Sequence, residues 1–275
     1  MPIRRLEARG VERVWGRSRL PDAYRNFESG EPIGEVWHQA PGDAPLLVKH
    51  LFTSEKLSIQ VHPDDAAAQA RGFARGKDEA WFVLAAEPGA TIGLGLTAPV
   101  EEDALRAAAL DGTIEALVDW KPVAAGDFFY SAAGTVHAIG AGVALVEIQQ
   151  NLDLTYRLFD YGRPRELQLE EGLAVSHPQP WRRSFEPVSI EPGRSILAAE
   201  GKFVVEAWQV TDAVAWRLPS DSMIVPLSGS GHVRDGQLEP GGVWCGEGEV
   251  RLESDSEMDL LIAYPGGEVC ANLRA

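Results

Sequence analysis

"LSIQVHPDD", residues 57–65, ends an apolar run with two polar side chains. Val48, Leu51, Phe52, Leu57, Ile59 and Val61 read as sheet, and Gln60 and His62 interrupt them. Along a strand, residues i and i+2 share a face. Ile59 and Val61 therefore point one way, and Gln60 and His62 point the other. An amide and an imidazole turned together into a β interior need a chemical reason.

The composition narrows the possible reasons. The 275 residues suffice for one large domain or two moderate ones. Hydrophobic residues make up 45% and charged residues 24%, ordinary for a soluble globular chain. A formal charge of −16 argues against a nucleic-acid surface or an anionic membrane, and it makes any local group of cations informative. "MPIRRLEARG" has no apolar stretch after its basic residues, so no secretory signal is expected. Nor is there an apolar run of about 18 residues to span a bilayer. Cys245 and Cys270 alone do not make a disulfide framework. The simplest expectation is a cytoplasmic protein.

Strand signals dominate the chain. Short β-branched or aromatic runs such as "LLVKHLF" (46–52), "EAWFVLA" (79–85), "FVVEAWQV" (203–210) and "DLLIAY" (259–264) recur between Gly, Pro and Asp. Two stretches read as helical: 64–72, after Pro63, and 99–120, with acidic residues in its first turn and a break at Gly112. Many short strands at close turn spacing suggest antiparallel sandwiches or barrels. The expected architecture is mostly β: two β-barrel (jelly-roll) units with a few short helices. The first would cover 1–175, a Pro- and Arg-rich linker 176–194, and the second 195–275.

Other residues can join Gln60 and His62. In "GKDEAWFVL" (76–84), alternation puts Lys77, Glu79 and Trp81 on one face. In "GDFFYSAAGTVHAIGAG" (126–142), Gly126, Gly134 and His137 surround a tight turn. Two His and one Glu from three strands are the types a divalent metal takes, with the Gln oxygen as a weaker fourth ligand. Taken singly, each has a plain reading: a satisfied strand histidine or a solvated carboxylate.

The spacing of Gly126, Gly134 and His137 resembles the second cupin motif, with Ala132 and Ala141 where Pro and Asn are usual. In the first motif Gln60 stands where a His is usual, and Glu79 follows a longer insertion. Together, "PLLVKHLFTSEKLSIQVHPDD" (45–65), "GKDEAWFVL", "GTVHAIGAGVALVEIQQNLDLTYRLFDYGRPREL" (134–167) and, more weakly, "IGEVWHQA" (33–40) resemble type I mannose-6-phosphate isomerase in its short bacterial form. The similarity runs from about Trp15 to Glu171, and the remainder resembles that family's degenerate second cupin only loosely. The resemblance implies one Zn²⁺ per chain, held by Gln60, His62, Glu79 and His137. It also implies a phosphorylated hexose as partner, interconverted between mannose 6-phosphate and fructose 6-phosphate, in a monomer or homodimer.

Moving a carbonyl between C1 and C2 passes through a cis-enediolate with negative charge on both oxygens. That chemistry needs an electrophile for the oxygens and a group that carries the proton. By family position, Arg157 would face the enediolate or the phosphate, and Glu147 would move the proton. Glu147 could equally be a structural partner of Arg157. Lys77 and Lys49 match lysines near the substrate, Lys77 on the same face as Glu79. Ser58 and Arg163 are candidates for the phosphate, although a salt bridge with Asp160 would explain Arg163 as well. Three alternatives stay open: an isomerase of another sugar phosphate, a non-catalytic metal-cupin that binds one, and a functional C-terminal unit. In that unit His232 and Glu247 lack the further ligands a metal would require, which favours a structural role.

Overall fold

Strand Val143–Gln150 is buried along its whole length, and its side chains alternate between two layers. In the computed structural model, which describes residues 3–182 and 186–275, Val146 and Ile148 join an apolar cluster with Phe203, Val205, Met223 and Leu261. Glu147 faces the opposite way, toward Lys49 and Trp81. One face of this strand is thus core between two halves of the chain, and the other passes from apolar Val143 and Leu145 to polar Glu147 and Gln149.

The strands form three antiparallel sheets. A six-stranded sheet runs in the order Ala8–Arg17, Ile33–His38, Leu46–Phe52, Val143–Gln150, Glu79–Ala86 and Phe128–Ser131. A five-stranded sheet runs Tyr156–Phe159, Ile59–Val61, His137–Ile139, Thr91–Leu96 and Val118–Pro122. The third, nine-stranded, contains every strand from Val188 onward and also Arg4–Arg5, which pairs with Trp244–Ser254. The mostly β architecture expected from the sequence is present. Among the described residues its hydrogen bonds define sheets rather than a closed ring. No helix among them is long and apolar enough to cross a membrane.

The nine-stranded sheet has its own apolar core around Trp208, Trp216 and Trp244, and it covers the outer face of the six-stranded sheet through the shared cluster. The stretch expected as a linker, 176–194, is more ordered than its composition suggested. His177 and Gln179 bond through their backbones to Gly134 and Leu96, Val188–Glu191 is an edge strand, and 183–185 lie outside the described residues.

Helix Asp65–Gln69 starts at Asp64, whose side chain accepts from the Ala67 N–H, a standard N-cap. The longer helical stretch is split as expected: Glu102–Asp111 ends at Gly112, which has φ 85°, a left-handed conformation that favours glycine. The second piece is shorter than expected. Ile114–Leu117 is helical, but Val118–Pro122 pairs with Thr91–Leu96, where Val118 and Trp120 pack in the sheet's core. Helix Leu169–Val175 was not anticipated.

On the outer face of the six-stranded sheet, His38 and His50 are both 0% exposed, with His38 Nε2 3.0 Å from His50 Nδ1. Tyr24, from the short turn Asp22–Phe27, lies across His50. The far nitrogens, His38 Nδ1 and His50 Nε2, have no hydrogen-bond partner among the described residues. Burial, aided by the Arg5 charge, lowers the His38 pKa to about 3, and burial holds His50 well below the usual imidazole range. The unfolded chain takes up these protons near pH 6.5 and the folded chain does not. The pair's contribution to stability is therefore complete above about pH 6.5 and is progressively lost as pH falls below it. Urea melts of metal-free protein should show stability falling between about pH 7.5 and 4.5, along a slope to which the buried His62 and His137 also contribute. A His38→Leu/His50→Leu double variant should flatten it; an unchanged slope would assign the acid sensitivity to other groups.

Candidate metal centre and active-site cleft

Five-stranded-sheet register sets Gln60 opposite both His137 and Arg157. Six-stranded-sheet register lines up Trp37, Lys49, Glu147 and Trp81 across four neighbouring strands. Glu79 sits in the next row, opposite Gln149. The two polar faces meet between the sheets. Gly134, at φ +84°, lies so close to His177 that a Cβ would fall 2.5 Å from the imidazole Nδ1, and the His177 N–H bonds to Gly134 O, which seats the turn before His137 against this segment.

His62, Glu79 and His137 converge there, each at most 2% exposed. Glu79 Oε1 is 3.2 Å from His62 Nε2, and Oε2 is 3.4 Å from His137 Nε2. The three ligating atoms all lie within 4.8 Å of one another. Each imidazole uses its other nitrogen on a backbone carbonyl: His62 Nδ1 is 2.9 Å from Leu154 O, and His137 Nδ1 is 2.9 Å from Thr135 O. A carbonyl only accepts, so each Nδ1 carries the proton and each Nε2 turns a lone pair toward Glu79. Neither Glu79 oxygen has a hydrogen-bond partner among the described residues. Two lone pairs and an under-satisfied carboxylate facing one point suit a divalent cation.

Gln60 completes the group from the side, its Nε2 3.2 Å from His137 Nε2 and its Oε1 accepting from the Ser58 hydroxyl at 3.1 Å. For the oxygen to serve as a ligand the amide must turn over, and the Ser58 hydroxyl can accept from the NH₂ as readily as it donates. Lys77 Nζ is 3.0 Å from Glu79 Oε1. Burial opposes ionisation of Glu79, but the Lys77 ammonium beside it outweighs this and holds the carboxylate well below its usual range. Burial, with Lys77 beside it, lowers His62 to about 3. The neutral imidazole, the form that binds metal, is thus the resting state.

A cleft of about 260 Å³ reaches this cluster through Gln60 and Lys77. Lys49, Ser58, Glu147 and Arg157 also line it. Lys49 donates to Glu147 Oε1 at 3.0 Å, and the Trp81 indole donates to Oε2 at 3.1 Å. Burial and the nearby Glu79 charge push the Glu147 pKa up, although Lys49 partly offsets them. Arg157 makes no side-chain hydrogen bond or ion pair among the described residues. Arg163 is not brought to the cleft: it pairs with Asp160 at 2.8 Å and donates to Lys56 O at 2.7 Å.

Several lining residues escaped the sequence reading: Arg13, Glu35, Trp37, Asp153 and Arg165. Glu35 and Trp37 carried a usable signal, since alternation along Ile33–His38 gives them one face. Trp37 donates to Glu35 at 3.2 Å and lies under Lys49 Nζ, 4.6 Å from the ring centroid. Arg165 follows an irregular turn and had no such signal.

Two antiparallel sheets that enclose a buried His–Glu–His cluster able to hold a metal ion match the mostly β, cupin-type fold. No protein-family model matches the sequence. Among curated proteins it is similar to mannose-6-phosphate isomerase of Streptococcus mutans, 36% identical over 201 residues that cover 70% of this chain and 63% of the relative. It is also similar to mannose-6-phosphate isomerase ManA of Bacillus subtilis, 30% identical over 82% of this chain and 85% of the relative. The solved structure of mannose 6-phosphate isomerase from B. subtilis has the same fold, with a TM-score of 0.83 at 24% identity over 96% of this chain and 99% of that one. The chain belongs to the mannose-6-phosphate isomerase family.

The centre should take up one divalent cation per chain, with nitrogen contacts near 2.0–2.1 Å if the ion is zinc. Elemental analysis after metal loading should find that His137→Ala and Glu79→Ala lose it, while Gln60→Ala weakens it less. Full metal retention by Glu79→Ala would rule out the centre as described.

Proposed function

We propose that the protein is a zinc-dependent isomerase that interconverts mannose 6-phosphate and fructose 6-phosphate. One observation carries the reading: the cleft that reaches the metal cluster also holds Glu147, a buried carboxylate with an upward-shifted pKa. Family membership supports the substrate.

Gln60, His62, Glu79 and His137 would hold the cation, which when bound supplies Lewis-acid stabilisation of negative charge on the substrate oxygens. Lys77, fixed against Glu79, adds a second positive charge in a site with little water to screen it. Glu147 takes a proton from one sugar carbon and returns it to the neighbour. The Lys49 ammonium and the Trp81 indole each occupy one of its oxygens, and each oxygen keeps a further acceptor position. Arg157, unpaired and half-buried in the same cleft, is free to meet an anionic group. In this proposal the segment 1–175 carries the chemistry, and 195–275 serves as a metal-free second unit.

The test is purified, zinc-loaded protein in a coupled assay for mannose 6-phosphate isomerisation. Glu147→Gln keeps the size and hydrogen bonding of the side chain but cannot shuttle a proton. It should retain metal and lose roughly 10² or more in rate. Arg157→Ala should also retain metal and turn over poorly, with little recovery in Arg157→Lys, which lacks the planar fork. Near wild-type turnover in Glu147→Gln would move the proton transfer to another group.

A further inference from the structure

Asp160 is 2% exposed and receives two arginines. Arg165 grips it with both Nε and Nη2, at 2.5 and 2.6 Å, and Arg163 reaches it with Nη2 at 2.8 Å. The turn between them explains the division of labour. Tyr161 has φ 54° and Gly162 φ 78°, so two successive left-handed residues reverse the chain after strand Tyr156–Phe159. The Arg163 N–H then bonds to Asp160 O, and the Arg165 N–H to Arg163 O. This sends Arg163 outward, to Asp160 and the Lys56 carbonyl, and brings Arg165 into the lining of the cleft. The register is held beyond the turn, where Gln168 N donates to Arg157 O and Arg157 N donates to the Gln168 side chain.

Arg165 thus stands in the same cleft as Arg157 and Arg13. Arg13 is neutralised by Glu35 at 2.6 Å, and Arg165 in part by Asp160. Arg157 has no such partner among the described residues, and Asp153 is the further carboxylate in the lining. Burial, then repulsion from Arg165, lowers the Arg157 pKa. Like charges held together in a chain of net charge −16 gain from an anion between them.

We infer that Arg165, together with Arg157, holds the phosphoryl group of the substrate, while Arg163 is a structural partner of Asp160 outside the anion site. This rests on the proposed sugar-phosphate substrate. The bidentate grip of Asp160 fixes the plane of the Arg165 guanidinium before any ligand arrives, so little of the ordering remains to be done on binding. Arg165 has further N–H groups for phosphate oxygens, because a guanidinium carries five.

Three variants in the full-length, metal-loaded protein test this: Arg165→Ala, Arg165→Lys and Arg163→Ala. The readouts are KM and kcat for fructose 6-phosphate, calorimetric affinity for inorganic phosphate, and Tm. Arg165→Ala and Arg163→Ala each remove a partner from the buried Asp160, so both should lower Tm. Only Arg165→Ala should raise KM and weaken phosphate binding, by roughly 10- to 100-fold, the range of a lost charge-assisted contact. Arg165→Lys should recover part of that, and Arg163→Ala should stay within about 3-fold of wild type because the two Arg165–Asp160 bonds persist. Wild-type KM and phosphate affinity in Arg165→Ala would overturn the inference, as would an equal loss in Arg163→Ala. Arg165-dependent phosphate binding in a wild-type protein without isomerase activity would support the anion site and overturn the proposed reaction instead.

Discussion

A carboxylate with 1% exposure, that of Glu79, is the constraint around which the two facing sheets of the N-terminal half are arranged. Burying an isolated charge is costly, and Glu79 is kept ionised by the Lys77 ammonium beside it, while the two imidazoles leave lone pairs for a cation. Lys77 approaches from its own strand, His62 and His137 from the facing sheet. The sheets must therefore be held at a fixed separation, since charge pairs weaken with distance and with entry of water. The apolar cluster behind the six-stranded sheet, shared with Phe203, Met223 and Leu261, supplies the rigid backing that such a site requires.

Charge is sorted sharply between surface and cleft. The chain carries 41 acidic and 25 basic residues, yet Arg13, Lys49, Lys77, Arg157 and Arg165 all line one cavity. Most of these cations already have a carboxylate: Lys49 has Glu147, Lys77 has Glu79, Arg13 has Glu35, and Arg165 has Asp160. The pairing keeps the cleft foldable without a ligand. Arg157 stands outside this pairing among the described residues.

Period-two alternation made the core of the site legible. It set Gln60 and His62 apart from Ile59 and Val61, and it put Lys77, Glu79 and Trp81 on one face; both groupings follow from local backbone geometry. The Lys49–Glu147 pair was less accessible, because it depends on a register between strands 98 residues apart. Arg163 and Arg165 differ only in which side of an irregular turn they leave, and that is set by φ values at Tyr161 and Gly162. Val118–Pro122 continued a helical-looking run, but the edge of Thr91–Leu96 offered it hydrogen bonds and a place for Val118 in the core. Tertiary pairing overrode local preference there.

Strand Arg4–Arg5 pairs with Trp244 and Cys245, and the Leu6 N–H bonds to Val243 O at 2.8 Å. Only a few residues later the chain enters the six-stranded sheet, where Arg13 and Trp15 reach the cleft. A polypeptide leaves the ribosome from its amino end, so this first strand emerges long before its partner exists. The six-stranded sheet draws only on residues 8–150, but the strand that leads into it stays unpaired until residues 244–245 have been made. Contacts that close such long loops are formed late and slowly. The interval is one in which a nascent chain exposes the apolar back of its six-stranded sheet, and a chaperone would have most to protect then.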